Sequence, residues 1–341
     1  MDHAKFLTRC LQLASYGKGR TQLNPSVGAV IVSDGKIIGE GYHHEYGGPH
    51  AEVLAIRSVK NRELLRQSTL YCTLEPCAHH GKTPPCCELI TAHGIPRVVI
   101  GCRDPHKKVD GKGIAHLKSH GVMVEFSDQP ELFEKAHQSF WTNFALNRPM
   151  ITLKWAQSTD GCIDSKRAVS DSPTALSGPL AALASHRLRA TVDGILISAK
   201  TLVYDRPSLS TRNWSGSSPR PIVLQSTQYP VTAENAACLN TPPIVIAESQ
   251  VEGLETIIAD PKEIDAYLPA LLELGIGHVL VEGGGNVIQS FIDIGRYDAV
   301  WTYTSLDKVI GEGIAAPSLP SDTESAHTTF ETLEDLWDVR R

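Results

Sequence analysis

Three short pieces of this sequence, His50-Ala51-Glu52, Pro76-Cys77 and Cys86, together make a set of metal ligands with an acid beside it. One imidazole and two thiolates suit a tetrahedral zinc whose fourth position stays open to water. Zinc lowers the pKa of such a water to about 7, so a nucleophile exists at neutral pH. Glu52 is placed to carry a proton from that water to a ring nitrogen and on to departing ammonia. The chemistry that fits is hydrolytic deamination of an aminated ring. Pro76 stands 24 residues beyond Glu52, and Cys77 and Cys86 form a C-x8-C pair. Cys87 is an alternative to Cys86 as ligand, although Pro84-Pro85 directly before Cys86 favours the latter. A structural zinc site, or buried thiols without metal, is the plainer alternative for the whole set.

A second motif is Gly283-Gly284-Gly285, after the apolar run Val279-Leu280-Val281. A glycine-rich strand-to-helix turn lets backbone N–H groups approach a phosphate. It is not the G-x-G-x-x-G fingerprint, so it reads equally as a dinucleotide site or a plain tight turn.

The elements around these motifs follow from periodicity. Residues 2–16 have helical apolar spacing, and 28–32 and 36–41 are apolar runs about Asp34-Gly35, a hairpin signal. Residues 51–59 predict a helix beginning just after His50, which puts His50 and Glu52 near its first turn. Then come a strand (69–75), a helix (86–93), a strand (97–102), a helix (113–120) and a strand (122–126). This order predicts a three-layer α/β domain with a mixed sheet of about five strands. Residues 130–147 predict one further helix, and Asn147-Arg148-Pro149 ends it. The expected domains are therefore 1–147 and 148–341. The second contains strands at 151–156, 194–198, 221–224, 244–247, 256–259, 279–282 and 299–304, with helices near 179–190, 262–274 and 286–294. It reads as another α/β domain, and the polar, acidic stretch 316–341 has no assigned role.

Composition agrees with two different jobs. The chain has 341 residues, which reads as two domains. Residues 1–147 carry 17 Lys and Arg against 14 Asp and Glu, whereas 148–341 carry 15 against 24. The first part also holds 11 of 14 histidines and 6 of 8 cysteines, which points to a metal there. A net charge of −6 with 6% aromatic residues argues against a nucleic-acid partner. No apolar run nears the roughly 18–20 residues that span a bilayer. Asp2, Lys5 and Arg9 interrupt the amino terminus, so no secretory signal is expected, and the expected location is the cytoplasm with reduced thiols.

The stretches 24–32 (NPSVGAVIV), 49–53 (PHAEV) and 69–86 (TLYCTLEPCAHHGKTPPC) resemble the deaminase half of the bifunctional riboflavin-biosynthesis deaminase/reductases. The resemblance implies a cytidine-deaminase-like fold and a small-molecule substrate, 2,5-diamino-6-ribosylamino-4(3H)-pyrimidinone 5′-phosphate. It implies base or ribose contacts from Asn24 and His43, substrate contacts from His79 and Lys82, and an acid at Asp104. Where the family has Pro-Asn after that acid, this chain has Pro105-His106.

Residues 152–161 (TLKWAQSTDG), 188–212 (LRATVDGILISAKTLVYDRPSLSTR) and 281–286 (VEGGGN) are similar to the reductase half. They imply a dihydrofolate-reductase-like fold and NADPH-dependent reduction of the ribosyl group to ribityl. Ala156, Thr201, Asp205 and Gly283–Gly285 match NADPH contacts. Ser172, Arg189, Leu209, Arg212 and Glu282 match substrate contacts, and Lys154 with Asp205 would orient the ribose and assist proton transfer. This half departs from the pattern: residues 172–177 read SPTALS, with Thr174 where an aromatic would meet the nicotinamide, and Asp-Asp-Pro is Asp205-Arg206-Pro207. The competing reading is a zinc deaminase whose second domain only binds ligand or builds an oligomer. A homo-oligomer is compatible with the family.

Overall fold

Asp34-Gly35 turns the chain with positive φ at both positions, 48° and 72°, the geometry that matches the twist of a two-residue hairpin. It joins β1 (Gly28–Ser33) to β2 (Lys36–Tyr42) in the computed structural model of this chain. The structure describes residues 3–78, 84–105 and 111–320, with the backbone of 328–331 and 335–340. Contacts divide it into two units, Met1–Leu146 and Asn147–Arg341.

In the first unit, α1 (His3–Ser15) precedes the hairpin. After it come α2 (Ala51–Ser58), a 3-10 turn (Arg62–Gln67), β3 (Thr69–Leu74), α3 (Cys86–Ala92), β4 (Arg97–Cys102), α4 (Lys112–Ser119) and β5 (Met123–Phe126). The sheet order is β2-β1-β3-β4-β5. β1 runs antiparallel to both neighbours, and β3, β4 and β5 are parallel. Every residue of β1 and β3 is buried, as central strands with both faces covered require. Gly41 lets α2 press onto β2: a Cβ there would lie 2.5 Å from Ala55 N and 2.6 Å from Ala51 O. The single helix expected over 130–147 is two, α5 (Pro130–Ala136) and α6 (Gln138–Leu146). They part at His137 (φ −102°, ψ 15°), whose ring turns into the interior, and that burial lowers its pKa to about 3.

The second unit comprises β6 (Met150–Gln157), β7 (Cys162–Ser165), α7 (Pro179–Arg189), β8 (Gly194–Ser198), α8 (Ala199–Asp205), β9 (Arg220–Leu224) and α9 (Ala233–Ala236). These lead to β10 (Ile244–Ala247), β11 (Glu255–Ile258), α10 (Ile264–Glu273), β12 (His278–Val281), α11 (Gly285–Asp293), β13 (Ala299–Ser305) and β14 (Gly313–Ala315). β15 (Thr328–Glu331) and β16 (Asp335–Arg340) close the chain. The main sheet has the order β11-β10-β9-β8-β12-β6-β13-β16-β15, parallel from β11 to β13 and antiparallel beyond. Thus the tail with no assigned role supplies two sheet strands. Strand residues alternate between two cores. Ile222, Ile244, Val279 and Val281 face one, with Tyr267 and Phe291; Val223, Val245 and Leu280 face the other, with Leu188 and Leu202. Within each sheet, taken by itself, the parallel strands' carboxyl ends lie along a single edge of that sheet, where ligands bind in α/β sheets.

Candidate functional site

His50 caps α2, Cys77 follows the carboxyl end of β3, and Cys86 is the first residue of α3. His50 Nδ1 lies 3.3 Å from Cys86 Sγ and 3.5 Å from Cys77 Sγ, and the three ligand atoms fall within 4.8 Å of one another. Zn–S and Zn–N bonds at tetrahedral angles require N···S separations of about 3.6 Å, so the trio fits zinc as it stands. Cys77 Sγ also accepts the Cys86 N–H (3.3 Å), and donors from Cys86 and His50 pull its thiol down to about 4. Cys87 belongs to the hydrophobic core, where burial pushes its thiol up to about 11, while Cys86 stands with His50 and Cys77 in the group that could hold a metal.

Glu52, on the first turn of α2, is 4% exposed beside His50, Cys77 and Cys86. Burial, the largest influence, holds its carboxyl above the usual range. His43 is buried with its ring centroid 5.6 Å from that of His50. Its Nδ1 lies 3.0 Å from Pro49 O, which can only accept, so Nδ1 carries the proton. Nε2 then accepts from the Asn24 amide at 3.2 Å. Asn24 and His43 are thus brought to the trio. Asp104 is buried just past β4, whose end lies beside that of β3 through the Leu74–Cys102 pair. His79 and Lys82 lie outside the described residues.

The second unit carries a cleft of about 1490 Å³ along the carboxyl ends of β6, β12, β8, β9, β10 and β11. Six adjacent strands make a groove about 24 Å long. Lys154, Ala156, Thr174, Thr201, Asp205, Glu282 and Gly283–Gly285 all line it. Two glycines of the turn are dictated by geometry. A Cβ on Gly283 would lie 2.7 Å from the Ile197 side chain, and Gly284 has φ +75° and faces Ser198 Oγ. The turn therefore lies against β8 and leads directly into α11, leaving free N–H groups at a helix start. The elongated groove and this turn fit a dinucleotide.

Glu282 accepts from Arg189 Nη2 (2.5 Å) and Nε (3.2 Å), while its Oε1 is buried with no hydrogen-bond partner among the described residues. Burial works to raise its pKa, but Arg189 and Lys154 together outweigh that and hold the carboxyl below its usual value. Lys154 is half-buried, its Nζ 5.2 Å from the Tyr303 ring centroid, and desolvation lowers its pKa. Arg189 is spent on Glu282 and on Ser210 O, and does not line the groove. Three expected contacts also lie off its wall. Ser172 is exposed on a loop, Arg212 is exposed and donates to Ser208 Oγ (2.9 Å), and Leu209 is a core residue at φ +52°. Conversely, Asp164, Arg167 and Tyr204 line the groove and were not expected there. Their one sequence trace is the i, i+3 spacing of Asp164 and Arg167.

Residues 1–102 match the cytidine and deoxycytidylate deaminase zinc-binding region, and residues 149–336 match the RibD C-terminal domain. The riboflavin biosynthesis protein RibD of Aquifex aeolicus (strain VF5) is 34% identical over 97% of this chain and 95% of its own length. That of Bacillus amyloliquefaciens is 35% identical over 97% and 90%. Among solved structures, a Thermotoga maritima diaminohydroxyphosphoribosylaminopyrimidine deaminase/5-amino-6-(5-phosphoribosylamino)uracil reductase superposes with a TM-score of 0.84. It is 34% identical, covering 98% of this chain and 97% of that one. Acinetobacter baumannii RibD, form 1, also gives 0.84 at 27% identity, covering 98% and 97%. Among the described residues, no helix is long and apolar enough to cross a membrane.

Proposed function

The chain belongs to the RibD family of riboflavin-biosynthesis enzymes, and from that premise we propose how its two sites divide the work. It is a bifunctional deaminase and reductase that uses zinc and NADPH. Residues 1–147 form the deaminase domain and 148–341 the reductase domain. The substrate is the diaminopyrimidinone ribosyl phosphate, deaminated first and then reduced at its sugar. The observation that carries the reading is the His50, Cys77 and Cys86 trio with buried Glu52 against it.

In the first domain His50, Cys77 and Cys86 hold zinc, which when bound brings a water's pKa toward neutrality and so supplies the nucleophile. Glu52 moves two protons in turn: the first from the attacking water to the ring nitrogen, the second from the hydroxyl newly bound to carbon to the amino group, which then leaves as ammonia. His43, neutral and locked between Pro49 O and Asn24, fixes the Asn24 amide for the substrate's polar edge. Asp104, at the neighbouring strand end, and His79 and Lys82 complete the substrate contacts, and Lys82 meets the phosphate as a point charge.

In the second domain Ala156, Thr174, Thr201, Asp205 and Gly283–Gly285 bind NADPH, which supplies a hydride to C1′ of the opened ribose. Opening the ring needs one proton on the departing ring oxygen. Lys154, whose ammonium is destabilised by burial, donates it, and Glu282 keeps the lysine directed into the groove. Asp205, already paired with Arg167, orients a hydroxyl rather than moving a proton. Ser172 and Arg212 are exposed, and Arg212 reaches the substrate phosphate only if its loop moves. Leu209 packs beneath that loop, and Arg189 acts through Glu282.

Mass spectrometry of products, with and without NADPH, tests the assignment. Deamination alone without NADPH, and deamination then reduction with it, is the expected result. Deamination that never proceeds to reduction would remove the second half of the reading.

A further inference from the structure

Arg167 commits every part of its guanidinium. Nε donates to Asp164 Oδ2 at 2.6 Å, Nη1 to the Asp171 carbonyl at 3.1 Å, and Nη2 to Asp205 Oδ1. Its Cζ lies 5.7 Å from the centroid of the Tyr204 ring. The side chain is only 8% exposed. Around it the 164–174 loop is closed on itself. Asp164 Oδ1 accepts N–H groups from Ser165 (2.9 Å) and Thr174 (3.3 Å), and Asp171 Oδ2 accepts that of Ala168 (2.8 Å). Asp164, Arg167, Thr174, Tyr204 and Asp205 all line the groove.

A nearly buried cation between two carboxylates is a poor source of stability, because desolvation offsets the attraction. What a planar fork does well is fix two groups relative to each other. Here the two groups belong to separate elements: Asp164 of β7, from which the loop that carries Thr174 departs, and Asp205, the last residue of α8. Thr174 is too small to seat that loop by stacking, so the ionic bridge is what holds it to the groove wall.

We propose that Arg167 is a positioning residue of the reductase site, latching the 164–174 loop to α8 and holding Asp205 as an oriented acceptor for the bound dinucleotide. The proposal rests on the reductase reading above. It acts on binding of the cofactor and not on the chemical step, and a lysine, which lacks the planar fork, would hold the two carboxylates in a less defined geometry.

The test uses full-length protein with the Arg167→Met, Arg167→Lys and Asp164→Asn substitutions. NADPH affinity is read by quenching of tryptophan fluorescence, and KM and kcat are read separately for reduction. Deamination in the same samples is the control. Arg167→Met should raise the Kd and KM for NADPH about tenfold, the scale of one lost charge-assisted contact, with kcat nearly retained. Arg167→Lys should restore part of the affinity. Asp164→Asn, which keeps the acceptor for Thr174, should weaken binding in the same direction by less. Wild-type NADPH affinity in Arg167→Met overturns the latch and leaves the reductase reading intact. So does a fall in kcat with unchanged affinity. Wild-type protein that takes up no NADPH overturns the reductase reading and the latch with it.

Discussion

Glu75 is where the deaminase site depends most on a residue with no part in its chemistry. It lies two residues before Cys77, is 3% exposed, and accepts three backbone N–H groups from beyond β4. Gly111 N is at 3.2 Å, Ile114 N at 3.3 Å and Asp104 N at 3.5 Å. The first two are free donors at the start of α4, so Glu75 caps that helix from a distant strand. The same joint is tight: a Cβ on Gly113 would lie 2.0 Å from Pro76 O. Glu75→Ala takes the carboxylate from one buried donor, Ile114 N, and one part-buried donor, Gly111 N, and removes the longer contact to Asp104 N as well. At about 1.5 kcal/mol for each of the two stronger contacts, the local cost is about 3 kcal/mol. Glu75→Gln keeps one acceptor oxygen but turns an amide N–H₂ toward a donor, and should cost about half as much. Hydrogen exchange of zinc-loaded protein reads this locally. Amides of α4 should exchange about a hundredfold faster in Glu75→Ala, since each 1.4 kcal/mol is a factor of ten. The KM for deamination should rise because the Asp104 loop loses its anchor, and reduction should be unaffected. Wild-type exchange rates in α4 would refute the reasoning.

Cys86→Ser should abolish zinc uptake and deamination while reduction survives. Cys87→Ser should retain one zinc and lose about 1–3 kcal/mol of stability for a hydroxyl buried in an apolar core; metal analysis beside urea unfolding separates the two, and zinc lost from Cys87→Ser instead would reverse the ligand assignment. Gly283→Ala must push the turn from Ile197, so its Kd for NADPH should rise about tenfold, an overpacking cost of at least 1.4 kcal/mol; an unchanged fluorescence titration would separate the turn from the cofactor. Asp193 is half-buried, and desolvation lifts its carboxyl from 3.8 to about 6 although it accepts the Gly277 and His278 N–H groups. The folded state thus holds this proton more tightly than the unfolded one. Its contribution is fully present below pH 3.8 and is lost as pH rises through about 6, a change of about 3 kcal/mol. Unfolding free energies of wild type and Asp193→Asn should diverge across that window, and parallel profiles would rule it out.

The deaminase centre was legible in the sequence because its geometry is local. His50 and Glu52 share the start of one helix, and Cys77 and Cys86 flank one loop, so spacing along the chain nearly fixes separation in space. Between the two adjacent thiols Pro84-Pro85 already favoured Cys86, and residues 86 and 87 of a helix face directions about 100° apart, so only one of them stands beside His50 and Cys77. The break at His137 left no trace, since no glycine or proline marks it. Nor did β15 and β16, whose polar sequence finds its place through the register of β16 against β13, from Val300–Arg340 to Ser305–Asp335. That pairing is non-local, and hydrophobic periodicity does not report it.

The reductase site was harder to read for a different reason. A metal ion demands three side-chain atoms within a few ångströms, and no other residue types will serve. The groove proposed for the dinucleotide crosses six strand ends, where backbone N–H groups and shape can do much of the holding, so many side chains can line it. The turn at Gly283–Gly284 is constrained by close approach to β8 and by positive φ, and there residue type alone left a dinucleotide site and a plain tight turn equally open. Elsewhere the burden passes between residues. Thr174 brings no ring to the groove, and Arg167, drawn in from a polar loop, carries the contact between that loop and α8. Arg189 leaves the wall and acts on it through Glu282. A site built this way keeps its shape while its side chains change partners, so residues matched by sequence position need not be the residues that face the ligand.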